Sequence, residues 1–440
     1  MSYIAFKNKF QHVLLLSCTL WLACSMFLSA QIEKQSYQPF MFTLESDDLS
    51  KMTSNSELDI TAILEAQKQI NDSTTLEIKY WNASYPSYRW HQIMVETGNN
   101  STVKKNGGRM AILHLAIYDA LAEVWKHKKE KQHVAPYQEH KLIKNLGKST
   151  DYSAYICEYS ATAAVAHQII AYYFPDQKTI LNDKLEQFKR ARLQSGLQSE
   201  NDIELGLFIG NTMAQKYIDY AKTDRTDKLW TGTVPNDETL WSGSPSKSGV
   251  MKRQWRPFTL QSVDQFRPGP PPTDWTADME ELWEFYKNNN SSDIAWKWKS
   301  EPIWDMLLER KILEYNLDAF QAAYTSAVFH TARFDATIAA WDGKYHYWGI
   351  RPFQYDPEFQ PILKTPNFPG YPAGHTTVSG ALAAAMSYLF PKDKQSFQDL
   401  AVECSESRFE GGVHFRTDNE VGLDVGEEVG QHVIKRFLGE

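Results

Sequence analysis

The sequence predicts an all-α fold in which two helical bundles are joined by a long loop. Apolar residues recur at helical spacing through most of the chain after residue 104, and short connections between the helices are typical of bundles. This pattern is interrupted at residues 224–274, which are rich in Pro, Gly, Ser and Trp. With 42% hydrophobic and 23% charged residues over 440 residues, the composition is ordinary for a globular protein with a sizeable core.

The first 30 residues predict a signal peptide. Lys7 and Lys9 precede an apolar run, and the small residues Ser29 and Ala30 precede Gln31. We therefore expect export to the periplasm or secretion, with membrane contact only through this peptide; an uncleaved membrane anchor is the alternative. Cleavage changes the net charge from −8 to −10, because it removes two lysines and no acidic residue. This negative charge argues against a nucleic-acid partner.

The mature chain divides into four parts. Residues 31–103 are polar and weakly patterned, and we expect an N-terminal arm with short helices. Residues 104–223 are an N-terminal helical half, residues 224–274 a strap, and residues 275–440 a C-terminal helical bundle. We find no sequence repeat that relates the halves. The predicted helices are 108–125, 152–173, 177–193, 203–221, 277–288, 293–310, 316–345, 374–389, 393–406 and 417–438.

Some conspicuous residues have structural interpretations. Cys157 and Cys404, the two cysteines of the mature chain, could form a disulfide or remain as two buried thiols. His114 lies beside the apolar stripe of the first strong helix and is interpreted as a core residue. Arg256 and Arg267 lie in the strap, where they could bind an anion, but we favour a role in bracing the loop.

The residues that carry chemistry are gathered in three short blocks within the last hundred residues. The blocks supply three cations, two imidazoles and one carboxylate, namely Lys344, Arg351, Arg408, His375, His414 and Asp418. Such a set can bind a tetrahedral oxyanion, because Lys and Arg neutralise its oxygens and donate hydrogen bonds to them. One imidazole can attack or bind the central atom while the other moves protons.

Local sequence predicts how several of these residues are placed. His375 opens the helix 374–389, where free backbone N–H groups and the helix dipole favour an anion. Gly374 allows a backbone N–H to approach that anion closely. Asp418 follows His414 by four residues, so its carboxylate can orient the ring; capping of the last helix is the alternative.

The three blocks resemble the signature of vanadium-dependent haloperoxidases and type 2 phosphatidic acid phosphatases, which reads Lys-x6-Arg-Pro, Pro-Ser-Gly-His and Ser-Arg-x5-His-x3-Asp. The chain matches both long spacings, from Lys344 to Arg351 and from Arg408 to Asp418. It departs from the signature at Ala373, where the motif has serine. The helical N-terminal half and the strap resemble the bacterial haloperoxidases.

The resemblance to those enzymes implies paired four-helix bundles with the anion site at one end of the C-terminal bundle. It implies vanadate as cofactor, hydrogen peroxide and a halide as substrates, and an organic acceptor as a further candidate partner. His414 would be the vanadium ligand, oriented by Asp418, while His375 would handle protons and Lys344 would polarise the bound peroxide. The residues implied to hold or flank the cofactor are Lys344, Arg351, Gly374, Arg408, His414, Trp341 and Phe368.

Two other functions fit the same residues. In a soluble acid phosphatase, His414 would attack phosphorus to form a phospho-histidine and His375 would protonate the leaving group. A non-catalytic oxyanion-binding protein is the second alternative, although simple binding does not need both histidines. We favour the haloperoxidase because the N-terminal half and strap resemble it. Iodide or bromide is the favoured halide, because a site without the motif serine should polarise peroxide less.

Overall fold

The computed structural model describes residues 37–45, 47–48, 60–103, 105, 107–148 and 153–440, so the predicted signal peptide lies outside it. Within these ranges the regular structure is helical, and the single β-bridge, between Leu240 and Gly349, is isolated. The predicted all-α class is therefore confirmed. In the same ranges, no helix has the length and apolarity that crossing a bilayer requires.

The described part of residues 31–103 contains three helices that pack on the first bundle. Asn71 caps the second of them, because its side chain accepts a hydrogen bond from Thr74 N at 3.1 Å and Thr74 Oγ1 accepts one from Asn71 N at 2.8 Å. Trp81 and Trp90 are buried and pack edge-on against Phe188. The helices are α1 (Ile60–Lys68), α2 (Asp72–Trp81) and α3 (Ser87–Asn100).

Four long helices form the first bundle in the described part of residues 104–223. Residues 111–124 of the first helix are all buried, so this helix lies inside the molecule rather than presenting one face to it. Ser199 caps the last helix by accepting a hydrogen bond from Asp202 N at 3.1 Å. The helices are α4 (Arg109–Glu130), α5 (Glu158–Tyr173), α6 (Lys178–Gln194) and α7 (Glu200–Ala221).

The strap, residues 224–274, contains the short helix Lys247–Val250 and the 3₁₀ turn Met251–Gln254. It is fixed to the second bundle by Asp335, whose carboxylate accepts hydrogen bonds from Phe258 N at 3.0 Å and Thr259 N at 2.8 Å.

The two arginines of the strap brace it. Arg267 Nε and Nη2 donate to the Asp342 carboxylate at 2.6 and 2.9 Å. The guanidinium of Arg256 lies over the Tyr220 ring, 4.7 Å from its centroid. Both contacts agree with the bracing role that the sequence favoured.

Residues 275–440, all described, contain seven helices of at least eight residues. The prediction of one helix over 293–310 is wrong. Pro302 has no backbone N–H and disfavours a helical conformation in the residue before it, so the chain forms two helices there. The seven helices are α8 (Thr276–Tyr286), α9 (Asp293–Ser300), α10 (Ile303–Glu314), α11 (Ala319–Tyr347), α12 (Gly374–Leu389), α13 (Lys394–Glu410) and α14 (Arg416–Phe437).

The two bundles are copies of one arrangement, so the expectation of no internal repeat is wrong. Helices α5, α6 and α7 match α12, α13 and α14 in length, and each begins 216 residues before its counterpart. The sequence has the same offset: six of the fifteen residues 114–128 are identical to their counterparts in 330–344. The identical positions in the first copy are His114, Ala116, Asp119, Ala120, Trp125 and Lys128.

The backbone follows this repeat closely. Phe174 and Phe390, which end α5 and α12, have φ/ψ of −132°/69° and −133°/69°. Gly196 and Gly412, which follow α6 and α13, have φ of 73° and 70°. Such positive φ values favour glycine, which explains its presence at both positions. The repeat therefore extends to the turns between the helices.

A glycine row on α14 brings that helix against α12. The spacing of Gly422, Gly426 and Gly430 predicts close helix packing, and the structure confirms it. A Cβ at Gly426 would lie only 2.2 Å from Thr377 O on α12. The close approach places the N-terminal ends of α12 and α14 side by side, where the predicted site lies.

One hydrophobic core runs through both bundles, because α4 packs against α11. Cys157 and Cys404 are buried free thiols in different bundles, so the disulfide alternative is wrong. His114 is 2% exposed within this core, as its interpretation as a core residue requires.

Candidate active site

A cavity of about 420 Å³ opens at the end of the second bundle, where α11 ends and α12 and α14 begin. Lys344 and Arg351 lie behind its wall and are fully buried, at 0% exposure. The structure therefore brings the predicted cations and imidazoles into one place. The predicted residues that line the cavity itself are Trp341, Phe368, Gly374, His375, Arg408 and His414.

Lys344 and Arg351 are held by backbone carbonyl groups. Lys344 Nζ donates to two carbonyl oxygens of the loop 368–370, one of them at 2.8 Å. Arg351 Nε and Nη2 donate to a third at 3.1 and 3.0 Å, and Nη1 donates to Val413 O. Burial and the neighbouring Arg351 lower the pKa of Lys344, and burial lowers the pKa of Arg351 to about 10 although Asp418 opposes this.

Arg408 is positioned independently of these two cations. It lies in the last turn of α13, where Nε donates to Ser407 Oγ and Nη2 donates to Ala295 O of α9, both at 3.0 Å. The residue is 4% exposed and borders the cavity. Helix α9 thus helps to aim the third cation at the same space.

His414 is oriented at both ring nitrogens. Nδ1 lies 3.0 Å from Asp418 Oδ2, and Nε2 lies 2.9 Å from Arg351 Nη1. Because a guanidinium can only donate, these hydrogen bonds assign the lone pair to Nε2 and the proton to Nδ1. Burial, Arg351 and Lys344 lower the pKa of His414, so the ring is neutral at neutral pH. Nε2 has one lone pair, so it becomes a ligand or nucleophile when Arg351 Nη1 gives up this hydrogen bond.

Asp418 joins the ends of two helices. Its carboxylate orients His414 and also accepts from Phe415 N at 3.3 Å, while its carbonyl oxygen accepts from Ala373 N at 2.8 Å. Burial raises the pKa of Asp418 against the opposing effect of the two buried cations. The geometry suits both interpretations drawn from the sequence, orientation of the ring and capping of α14.

His375 is the second residue of α12, and its ring is exposed in the cavity. Protein surrounds the ring on its other sides. This burial, together with Arg408, Lys344 and Arg351, lowers the pKa of His375 to about 4. The imidazole is therefore neutral at neutral pH and can accept a proton, and a bound anion would raise its pKa.

Two aromatic rings and a further cation complete the wall. The centroids of Trp341 and Phe368 lie 5.4 Å apart, and Lys344 Nζ lies 5.3 Å from the Phe368 centroid. Lys252 Nζ lies 4.2 Å from the Trp341 centroid and borders the cavity. Lys252 was not predicted from the sequence, because it comes from the strap and no motif spacing relates it to the three blocks.

Ala373 occupies the N-cap position of α12. Its side chain is fully buried and makes no capping hydrogen bond. The chain therefore lacks both a helix cap and a hydroxyl donor at the position where the motif has serine.

The donor set fits a tetrahedral oxyanion such as vanadate. Three buried or nearly buried cations face one carboxylate, that of Asp418, and the N-terminus of α12 adds its partial positive charge. The neutral Nε2 of His414 is the protein atom suited to a bond with the central atom.

The fold and this chemistry can be compared with known proteins. The family model described as the VCPO second helical-bundle domain matches residues 393–438. The first bacterial vanadium-dependent iodoperoxidase to be solved is 20% identical, with 87% of this chain and 98% of that chain covered and a TM-score of 0.58. A holo-type bacterial vanadium-dependent chloroperoxidase is 16% identical, with coverage of 85% and 97% and a TM-score of 0.57. A comparison with curated protein sequences found no match.

Fold and site together define a double helical-bundle protein in which three cations and two imidazoles gather at one end of the second bundle. The chain has the fold of the bacterial vanadium-dependent iodo- and chloroperoxidases, and its last two helices match the family model of the VCPO second helical-bundle domain. The resemblance predicted from the three sequence blocks is thereby confirmed at the level of the fold.

Proposed function

We propose that the chain is a vanadate-dependent haloperoxidase that uses hydrogen peroxide to oxidise iodide or bromide to a hypohalous acid. The observation that carries this proposal is the orientation of His414, whose unprotonated Nε2 lies among the buried cations of the site. The matching fold of the bacterial iodo- and chloroperoxidases supports it.

The residues of the site have distinct tasks in this reaction. Vanadate, when bound, supplies the centre at which hydrogen peroxide becomes reactive toward halide. His414 Nε2 would hold the vanadium, and Asp418 would keep that nitrogen free of a proton by accepting from Nδ1. Lys344, Arg351 and Arg408 would neutralise the oxygens and donate hydrogen bonds to them.

His375 moves the protons. Its ring is exposed in the cavity and its lowered pKa leaves it neutral, so it can take a proton from arriving hydrogen peroxide and return it later. A phosphatase would instead need His375 protonated as a general acid, and the three cations oppose this only in the anion-free site. Trp341 and Phe368 form an apolar wall beside the reacting atoms, which limits water there.

The test is a direct assay of the purified protein, stripped of anions and then loaded with vanadate. We expect peroxide-dependent oxidation of iodide faster than of bromide, with chloride a distant third, and suppression of all activity by phosphate. The unloaded protein is the control. A protein that binds vanadate, oxidises no halide and hydrolyses a phosphate ester would overturn the proposal and make His414 a phosphoryl acceptor.

Export is part of the proposal and rests on residues 1–30 alone. Fractionation of the producing cells should find the protein outside the cytoplasm, with a mass that corresponds to a chain beginning at Gln31. An uncleaved chain in the membrane fraction would support the anchor alternative.

A further inference from the structure

The first bundle contains counterparts of the active-site residues. The internal repeat aligns each helix of the second bundle with one in the first, and three of the charged residues are retained at the same offset. The aligned pairs are Lys128 with Lys344, Arg192 with Arg408, and Asp202 with Asp418.

Two of the three retained residues, Lys128 and Asp202, each keep a contact that their counterpart makes. Lys128 Nζ donates to Ser153 O at 2.6 Å, and Cys157 N donates to Asp202 O at 2.9 Å. The corresponding bonds of the second bundle both measure 2.8 Å. The first bundle thus preserves two contacts that shape the active site. One joins the lysine to a loop, and the other is the hydrogen bond that joins the N-terminal ends of two helices.

The first bundle differs from the active site at the position of Gly374. Its counterpart there is Glu158, the first residue of α5. Its side chain is 1% exposed, and Oε2 lies 3.0 Å from Lys128 Nζ. Arg192, 3% exposed, is the second cation that acts on it. Burial raises the pKa of Glu158, but Lys128 and Arg192 outweigh this effect and hold the pKa below its usual value, so the carboxylate stays ionised.

We propose that the first bundle holds a second oxyanion site, formed by Lys128 and Arg192 at the N-terminus of α5, whose resident ligand is the chain's own Glu158 carboxylate. A carboxylate matches the charge and the hydrogen-bond acceptors that the two cations require. Removing it opens the site to a free tetrahedral oxyanion of the phosphate class.

This second site binds but does not catalyse. Tyr159 and Gln198 stand at the positions that His375 and His414 occupy in the active site. The Tyr159 ring is packed against the guanidinium of Arg192, 4.2 Å from its centroid, and neither residue offers an imidazole. An anion admitted to the first bundle therefore gains no haloperoxidase or phosphatase activity.

The test compares Glu158→Gly with wild type by calorimetric titration of the full chain with inorganic phosphate. We expect one more phosphate per chain than wild type binds and a melting temperature that rises more steeply with phosphate. Glu158→Gln is the matched control, because it removes the charge but fills the space, and it should gain no site. The expected result is a difference in bound phosphate between variant and wild type. It therefore does not depend on whether the active site binds phosphate or on which reaction that site catalyses.

The reciprocal substitution, Gly374→Glu in the second bundle, tests the same proposal. Gly374→Glu should place a carboxylate among Lys344 and Arg408, remove one phosphate site and raise the melting temperature in phosphate-free buffer. A folded Glu158→Gly protein with no additional site overturns the proposal. If Glu158→Gly does not fold even in phosphate, Gly374→Glu decides: a melting temperature in phosphate-free buffer that does not rise also overturns it.

A second, independent observation concerns three histidines where the bundles meet. His114 of α4 and His330 of α11 are counterparts in the repeat, and their rings stack with centroids 4.4 Å apart. His91 Nδ1 of α3 lies 3.0 Å from His114 Nε2, and one nitrogen from each ring lies within 4.8 Å of the other two. Both nitrogens of His330 and Nδ1 of His114 are buried without a hydrogen-bond partner.

We propose that these three histidines bind a divalent transition ion of the zinc class, which ties α3, α4 and α11 together. Unpartnered neutral imidazole nitrogens are the ligands that such an ion prefers, and the ion would use lone pairs that otherwise remain buried and unsatisfied. A cavity of about 570 Å³ reaches His91, and its wall carries three carboxylates and the guanidinium groups of Arg109 and Arg333. The Asp305 carboxylate neutralises the nearby Arg333, because it accepts hydrogen bonds from Nη1 and Nη2 at 2.7 and 2.9 Å.

Cobalt(II) is the probe, because tetrahedral nitrogen ligation gives it visible absorption. Chelator-treated wild type should gain this absorption and a higher melting temperature with equimolar cobalt or zinc. His330→Asn should lose both effects, whereas His167→Asn, which changes a histidine outside the cluster, should retain them. Wild type with no cobalt spectrum at millimolar metal, or a spectrum unchanged in His330→Asn, would overturn the proposal.

Discussion

At the scale of single residues, the orientation of the His414 ring depends on one carboxylate oxygen. Asp418→Asn removes the charged acceptor of the Nδ1 proton and leaves only the hydrogen bond from Arg351 Nη1 to hold the ring. We expect vanadate affinity or turnover to fall by roughly 10–100-fold, as is usual when a partner of a metal-binding histidine is lost. Vanadium retention after gel filtration measures the effect.

The repeat supplies a control for this change. Asp202→Asn alters the aspartate at the same position in the first bundle, where its carboxylate accepts hydrogen bonds from Ile156 N, Ser199 N and Ser199 Oγ. It should lower the melting temperature without affecting vanadate. Equal loss of vanadium in both variants would indicate general destabilisation rather than a role in orienting His414.

Restoring the motif serine at position 373 should improve both stability and vanadate affinity. Serine at this N-cap can accept a hydrogen bond from the first turn of α12, which is worth about 1 kcal/mol, while its O–H donates to the anion. We expect Ala373→Ser to raise the melting temperature and to lower the Kd for vanadate, with the latter measured by titration.

Cys157 is the matched position, because it is the N-cap of α5 and also lacks a capping hydrogen bond. Cys157→Ser should stabilise the protein in the same way but leave vanadate affinity unchanged. A vanadate affinity that Ala373→Ser leaves unchanged or weakens would mean that the hydroxyl does not reach the anion.

The pKa of His375 predicts the pH dependence of the reaction. The neutral ring is the active form, so activity is present above its pKa and is lost as the pH falls through it. That pKa is about 4 without an anion, and bound vanadate should raise it. We expect kcat/KM to fall at acid pH with a midpoint above 4. His375→Gln should lose most of the activity, and the remaining activity should no longer fall at acid pH. If the acid-side fall persists in His375→Gln, another group is responsible for it.

At the scale of helices, the contact of α14 with α12 fixes the site. A Cβ at Gly426 would lie 2.2 Å from Thr377 O, and one at Gly210 would lie 2.2 Å from Ala161 O in the first bundle. Overpacking of this kind costs roughly 1–3 kcal/mol. Gly426→Ala and Gly210→Ala should therefore destabilise the protein to a similar degree in denaturant unfolding.

The two variants should differ in function. Only Gly426→Ala separates the helix starts that carry His375 and Asp418, so only it should weaken vanadate binding. Equal loss of binding in both would show that the site responds to overall stability rather than to this contact.

The helices show where sequence reasoning succeeds and where it stops. The site was predictable because Lys344 and Arg351, and Arg408 and Asp418, lie within single blocks whose spacing is local. Lys252 was not predictable, because only tertiary packing of the strap brings it to Trp341. The left-handed Trp348 that ends α11, with φ of 53°, likewise depends on its contacts with Tyr345 and Trp241 and not on propensity.

At the scale of the whole molecule, the helical spacing of apolar residues predicted the fold class but did not predict the duplication. The copies retain residues with structural tasks, such as Asp119 and Asp335, which both accept hydrogen bonds from incoming backbone. Most other positions have diverged, and helical periodicity alone makes any two such helices look alike. The duplication becomes visible when helix lengths, turns and charged residues are compared at one offset.

The shared core leads to the last prediction, which concerns unfolding. Because a single hydrophobic core includes residues of α4, α5, α11 and α14, the bundles should unfold together. An oxyanion bound at one end then stabilises the whole molecule by RT ln(1 + [L]/Kd), about 2.7 kcal/mol at 100 times the Kd. Scanning calorimetry with increasing phosphate should show one transition that moves upward as a unit, and vanadate should have the same effect in competition with phosphate. Two transitions, of which phosphate moves only one, would mean that the bundles are separate folding units and that the contact of α4 with α11 contributes little to cooperativity.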